Sequence, residues 1–191
     1  LFLCETTSPH ITRFLPEAWG NAGGTTAERI SFLEKSAGII FRIQDILPFI
    51  PVLSDGIHTE EWLASMLRQP RLFIRIVASP EQVMAQLEAR QIAYRRYEHV
   101  YGNGKHSLCL SLPNATPVNK ILPPHTYVVQ DLSSQETGHY FHTAHGNDWW
   151  DCCAGAGGKS LLLRYIEPGA RIVASDRRQT ILSNLAARFG Q

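Results

Sequence analysis

The residues best placed to do chemistry lie together in Asp151-Cys152-Cys153-Ala154-Gly155-Ala156-Gly157-Gly158-Lys159-Ser160. Glycines between a strand-like run and a helical run let backbone N–H groups approach a ligand and aim a helix N-terminus at it. Three ligand classes compete for such a loop. A phosphate loop needs Gly-x-x-x-x-Gly-Lys-Ser/Thr; Gly158, Lys159 and Ser160 fit its end, but its leading glycine falls on Cys153. A dinucleotide fingerprint needs Gly-x-Gly-x-x-Gly; Gly155 and Gly157 fit, but the third glycine falls on Ser160. The third class is S-adenosylmethionine, whose sites put one acid at the strand end before the loop, here Asp151, and another at the end of the next strand.

That second acid is present. Asp176 follows Arg171-Ile-Val-Ala-Ser175, 25 residues after Asp151. A carboxylate there can accept hydrogen bonds from a ribose diol. The bland alternative is the N-cap of a helix starting at Arg177. Loop and acid together favour a nucleoside, and leave the methyl donor and the dinucleotide both open.

The elements that must position these residues fall into three regions. Up to about residue 67 the signals are helical: Thr25 with Glu28 makes a capping box, and Ile30, Leu33, Ala37, Ile40 and Phe41 recur at helical spacing. Pro48 and Pro51 close that segment, Asp55-Gly56 turns the chain, and Thr59 caps a short helix with Trp62, Leu63, Met66 and Leu67. From Leu72 the period becomes two, with Leu72, Ile74 and Ile76 alternating against Phe73, Arg75 and Val77. Ser79-Pro80-Glu81-Gln82 predicts an N-cap, an N1 proline and a capping-box partner for a helix through Ile92. Strands over 94–100 and 107–112 flank a hairpin turn at Gly102-Asn103-Gly104-Lys105. Residues 68–124 thus read as a ferredoxin-like β-α-β-β module of a kind common in RNA-binding domains, or a generic small α+β domain. Residues 125–191 read as an α/β unit: strand 127–129, helix 133–144, buried strand 148–152, the loop, helix 161–166, strand 171–175 and helix 177–189.

Resemblance narrows the choice of ligand. Gln130-Asp131-Leu132-Ser133-Ser134-Gln135, then the loop from Asp151 to Ser160, resemble the RNA (cytosine-5) methyltransferase family. Its members carry a Gln-Asp-x-x-Ser-Gln segment and a Cys-Ala-Ala-Pro-Gly-Gly-Lys-Thr-type loop. Asp176-Arg177-Arg178, Asn184 and Arg188-Phe189-Gly190 resemble its next motif, so the likeness covers residues 127–190. Gly155 stands for the usual Ala and Ala156 for the usual Pro, changes that should loosen the loop.

The resemblance implies an α/β and α+β chain. A helical N-terminal region (1–67) and a ferredoxin-like RNA-binding module (68–124) precede the truncated start of a Rossmann-like methyltransferase domain (125–191). It implies S-adenosylmethionine as cofactor, held by Cys153, Ala154, Gly155, Ala156, Gly157, Gly158, Lys159 and Asp176. It implies methylation of cytosine C5 in RNA, ribosomal more than transfer RNA, in the cytoplasm. In that family a cysteine thiolate adds to C6 of cytosine, and a second cysteine assists release; both lie in Thr-Cys-Pro and Pro-Cys motifs. No cysteine of this chain adjoins a proline, so the catalytic residues are expected beyond Gln191 and the chain itself is expected to be inactive. The start at Leu1, without Met, likewise suggests a piece of something longer. A P-loop nucleotide hydrolase and an RNA-binding module with a decayed cofactor site are the rivals.

Charge and composition bound the partners. With 44% hydrophobic and 18% charged residues over 191 positions the chain is globular, and no apolar run is long enough to span a bilayer. The four cysteines form no disulfide framework, which suits a reducing compartment. Net charge is −4 over residues 1–67, +4 over 68–105 and +1 over 106–191. The basic middle offers Arg68, Arg71, Arg75, Arg95, Arg96 and Lys105 among Phe73, Tyr94, Tyr97 and Tyr101 as an RNA face; a solvated sheet face is the bland alternative. His139, His142 and His145 step by three, drift around a helix axis and do not converge, so no metal is expected. Cys152 and Cys153 read as packing and backbone contacts, and the Trp149-Trp150 pair as core.

Overall fold

A computed structural model of the chain describes residues 24–38, 40, 42–46, 53–66, 70–142 and 146–189. Phe41, Pro48, Pro51 and Leu67 lie outside them, as do Cys4, Arg68 and His145. The chain divides into two compact units, residues 1–70 and 71–191.

In the first unit, helix α1 (Thr26–Ala37) begins with the expected capping box, Thr25 and Glu28 each satisfying the other's backbone N–H. Gly38, at φ 64°, ends it in the left-handed conformation, so the helical pattern stops short of Ile40, which is 86% exposed. A 3-10 turn (Ile43–Ile46) and helix α2 (Thr59–Met66) follow, with Leu63 fully buried.

The second unit is mixed α/β. Strand β1 (Leu72–Ile76), helix α3 (Pro80–Glu88), β2 (Arg95–Val100), β3 (His106–Leu112), helix α4 (Val118–Ile121) and β4 (Tyr127–Val129) form the first layer. The antiparallel sheet runs in the order β2-β3-β1-β4. The strand expected to open the C-terminal unit therefore completes this sheet instead, pairing Ile74 with Val129. Ile74, Ile76, Leu110 and Leu112 pack on one face against Val83 and Leu87 of α3 and Val118 and Leu122. Pro80 occupies the first turn of α3 as expected, but Ser79 sits at φ 48° and makes no side-chain cap, since a left-handed residue cannot aim its hydroxyl at the first turn.

Both faces of β1 are covered. Arg75, Cys109 and Ser111 point away from α3, yet their exposures are 1%, 0% and 0%. Helix α5 (Leu132–Glu136) and the 3-10 turn Thr137–Tyr140 supply part of the cover: Gln135 donates to Cys109 Sγ at 3.1 Å. The half-buried strand with a solvated Arg75 expected from alternation is thus buried on both faces over Ile74, Arg75 and Ile76, with Leu72 and Phe73 partly buried.

Strands β5 (Asp148–Asp151) and β6 (Arg171–Ala174) are a parallel pair joined through helix α6 (Gly158–Ile166), and helix α7 (Gln179–Phe189) follows. Trp149 lies on the covered face, edge-on to Phe141 at 5.8 Å. Trp150 and Val173 lie on the other face, 73% and 66% exposed. Trp150 is therefore not core: among the described residues nothing covers that side of the two-stranded sheet.

Candidate functional site

The glycine loop is strapped to the ends of both parallel strands. Ser175 N–H donates to the Asp151 carbonyl at 2.8 Å and Ala154 N–H to the Ser175 carbonyl at 3.0 Å, carrying the β5–β6 ladder into the loop. The loop then turns on Gly155 and Gly157, at φ 53° and 82°. Left-handed backbone costs a glycine nothing. A Cβ on Gly157 would also stand 2.8 Å from Leu185 Cγ, so only glycine lets the loop close onto α7.

The two acids have different duties. Asp151 Oδ2 accepts from Ser160 Oγ at 2.6 Å, binding the end of β5 to the first turn of α6. Asp176 accepts four hydrogen bonds: Gly155 N–H at 3.0 Å, Arg178 N–H at 3.0 Å, Arg178 Nε at 3.0 Å and Arg178 Nη2 at 3.1 Å. The Arg178 side chain first, then the Arg178 and Gly155 amides, hold this carboxyl well below the usual carboxylate range. Helix α7 begins only at Gln179, so Asp176 is not its N-cap: one oxygen tightens the turn before the helix, the other pins the loop.

Cys152, Cys153, Asp176, Arg177 and Arg178 line a cleft of about 410 Å³, large enough for a nucleoside. It opens at the C-terminal edge of a parallel strand pair, where open α/β sheets bind ligands. A larger cleft of about 710 Å³ runs along β4 to Leu161 and Arg188, and neither Asp176 nor a glycine of the loop lines it. Of the expected cofactor residues, Cys153 and Asp176 face the 410 Å³ cleft. Ala154 and Gly157 are buried, Gly155 and Ala156 belong to the loop, and Gly158 opens α6. Lys159 lies elsewhere: with Phe141, Trp149 and Ser160 it lines a separate cleft, its Nζ 3.4 Å from Ser134 Oγ. Neither Cys109 nor Cys153 is a poised thiolate. Burial pushes Cys109 up to about 11, and Cys152, with the two aspartates behind it, raises Cys153.

Gln130 has a role that residue types alone did not assign. It is 5% exposed; its Oε1 accepts from Arg75 Nε at 3.0 Å and its Nε2 donates to the Gly158 carbonyl at 3.0 Å. The first sheet thereby holds the shoulder of the glycine loop. The only sequence signal was Gln130's place at the head of the Gln-Asp-x-x-Ser-Gln segment.

The expected RNA face is scattered. Arg75 is buried, bound to Gln130 and lying 5.2 Å from the Tyr165 ring, so it cannot reach a phosphate. Arg71 is tied to Ser111 through Nε at 2.6 Å and Nη2 at 2.9 Å. Lys105 lies over Tyr165 at 4.8 Å. Arg95 and Arg96 are exposed on opposite faces of β2, and Arg96 pairs with Glu98 at 2.9 Å. Arg95 shares its face with Tyr97, which meets Phe73 at 6.2 Å between ring centres.

No protein-family model matches the chain, and a search of curated proteins found no match. Among solved structures, the crystal structure of PH0851 is similar, with 18% sequence identity and a TM-score of 0.53 over 96% of this chain. The likeness is one of fold. This chain spans 42% of the length of that protein.

Proposed function

We propose that this chain carries the cofactor-binding part of an S-adenosylmethionine-dependent RNA (cytosine-5) methyltransferase, acting on ribosomal rather than transfer RNA in the cytoplasm. The finer fold reading goes with it: a ferredoxin-like module followed by the opening strands of a Rossmann-like domain. The observation that carries the proposal is the Asp176 carboxylate beside the glycine loop, at the C-terminal edge of β5 and β6.

The residues fit the group. A ribose diol needs an ionised carboxylate, and Asp176 is ionised at any physiological pH. Arg178 fills most of its acceptor directions, so the guanidinium would have to yield to a diol, while Gly155 N–H would keep the carboxylate in place. When bound, S-adenosylmethionine supplies an electrophilic methyl group. The chain's part is to hold the nucleoside end. Cys109 and Cys153 are protonated and Cys109 is buried, and no cysteine adjoins proline, so the nucleophile of the resembled family has no counterpart among them. Phosphate-loop hydrolysis is disfavoured by Ser160: the residue is 2% exposed and its hydroxyl is committed to Asp151 rather than free for Mg²⁺.

Competition binding tests this. S-adenosylmethionine and S-adenosylhomocysteine should displace each other and ignore ATP with Mg²⁺. Displacement by ATP with Mg²⁺, or no response to either adenosyl compound, would defeat the proposal.

A further inference from the structure

His99 of β2 meets Glu136 and His139, three residues apart at the end of α5 and in the turn after it, and each offers one ligating atom within 4.8 Å of the other two. Nδ1 of His99 lies 3.6 Å from Glu136 Oε1, and Nε2 of His139 lies 3.5 Å from Glu136 Oε2. At 3.6 Å the His99 contact is not a hydrogen bond, and the His139 contact stands at the outer limit of one. The three groups converge without satisfying one another. His99 makes this costly, because its side chain is only 4% exposed and its Nε2 has no partner either. With nothing bonded to Nε2, no hydrogen bond fixes the tautomer, and Nδ1 is free to present its lone pair to the cluster.

We infer that His99, Glu136 and His139 form a binding site for a divalent transition-metal ion of the Zn²⁺ type. Two imidazoles and one carboxylate suit such ions, and bonds of about 2.0–2.1 Å at tetrahedral angles put ligand atoms roughly 3.4 Å apart. The two contacts, His99 to Oε1 and His139 to Oε2, are each within a few tenths of an ångström of that spacing, so the carboxylate faces one imidazole with each oxygen. The remaining His99–His139 edge closes by rotation of His139, which is 37% exposed, while Glu136 at 53% leaves a coordination position open to water. Burial disfavours protonation of the His99 imidazole, with the Glu136 charge opposing it.

The fold builds the site deliberately close. Gly138 lies between Glu136 and His139, and a Cβ there would stand 2.6 Å from Tyr101 Cε1, so only glycine lets this turn settle on the sheet. Tyr101 in turn stacks on the buried His99 ring at 5.8 Å and meets the more exposed His139 ring at 5.0 Å. An ion here would clamp β2 to the turn after α5, independent of the glycine loop and of the proposed cofactor.

The test uses the whole 191-residue chain stripped with a chelator. Zn²⁺ is titrated by calorimetry and Co²⁺ by its visible d–d absorption. One ion per chain is expected. Glu136→Gln and His139→Ala should each weaken binding by about tenfold or more, while His142→Ala leaves it unchanged. Glu136 and His139 are exposed enough for these variants to fold, which circular dichroism checks. No binding by the wild-type chain, binding that survives both variants, or binding lost only when Cys152 and Cys153 are changed to Ser would each overturn the site.

Discussion

Gly155→Ala and Gly157→Ala, made two residues apart in one loop, separate backbone strain from steric clash. Both positions have positive φ, 53° and 82°. Placing alanine in left-handed backbone costs about 1–2 kcal/mol, partly offset by the stiffer unfolded chain, leaving roughly 1 kcal/mol. At Gly155 nothing adds to this, because the nearest atom to a new Cβ is Arg178 Nη2 at 3.9 Å. At Gly157 the Cβ would meet Leu185 Cγ at 2.8 Å and Cδ1 at 3.0 Å, on a leucine that is 8% exposed. Overpacking of that kind adds about 1–3 kcal/mol, so Gly157→Ala should cost roughly 2–4 kcal/mol in total. Urea unfolding of the two variants reads the difference. Repeating Gly157→Ala in a Leu185→Ala background should recover about 1–3 kcal/mol, because the clashing atoms are gone. Equal losses at the two glycines, or no recovery with Leu185→Ala, would refute the close approach of the loop to α7.

Iodoacetamide should label Cys152 and Cys153 in the native chain and reach Cys109 only on unfolding, since Cys109 is fully buried and its thiol is pushed up to about 11; native labelling of Cys109, read by mass spectrometry, would count against its burial. Arg75→Ala should cost at least about 2 kcal/mol in urea unfolding, from the cavity and the abandoned Gln130, whereas Arg95→Ala should leave stability unchanged and weaken RNA binding; the reverse pattern would return Arg75 to the surface. Burial holds the His99 imidazole below its unfolded value of about 6.5, so in metal-free protein the unfolded chain binds the extra proton first. Stability should then be full above that pH and fall as pH drops through it, and Glu136→Gln should steepen the fall because the Glu136 charge opposes the shift; a flat profile would mean that His99 is solvated.

Local signals were legible and distant ones were not. The Thr25–Glu28 box, the turn at Gly104 and the glycine loop with its two acids each depend on residues near in sequence, or on one strand-helix-strand step, and each stands where its pattern placed it. Arg75 misled because alternation shows which face a side chain takes, not what covers that face. The covering residues, Gln130, Gln135 and Tyr165, lie 55 to 90 positions away. Strand β4, three residues long, carries too little pattern to declare its sheet, and its pairing is decided by the backbone of β1. Trp150 looked like core because tryptophan usually is, but among the described residues its sheet has two strands and one covered face. The His99 cluster was invisible for the same reason as Arg75. Spacing along the helix brings out His139 but not His99, which the sheet places beside it.

Whether Asp176 and the glycine loop hold an adenosyl nucleoside is tested most directly by calorimetry of S-adenosylmethionine binding to wild type, Asp176→Ala and Asp176→Asn, beside melting of the ligand-free proteins. Loss of the charged acceptor should weaken binding about 10- to 100-fold in Asp176→Ala, with Asp176→Asn between it and wild type. Asp176→Ala binding S-adenosylmethionine as tightly as wild type while melting early would contradict the assignment, leaving Asp176 only as the anchor of Arg178 and Gly155.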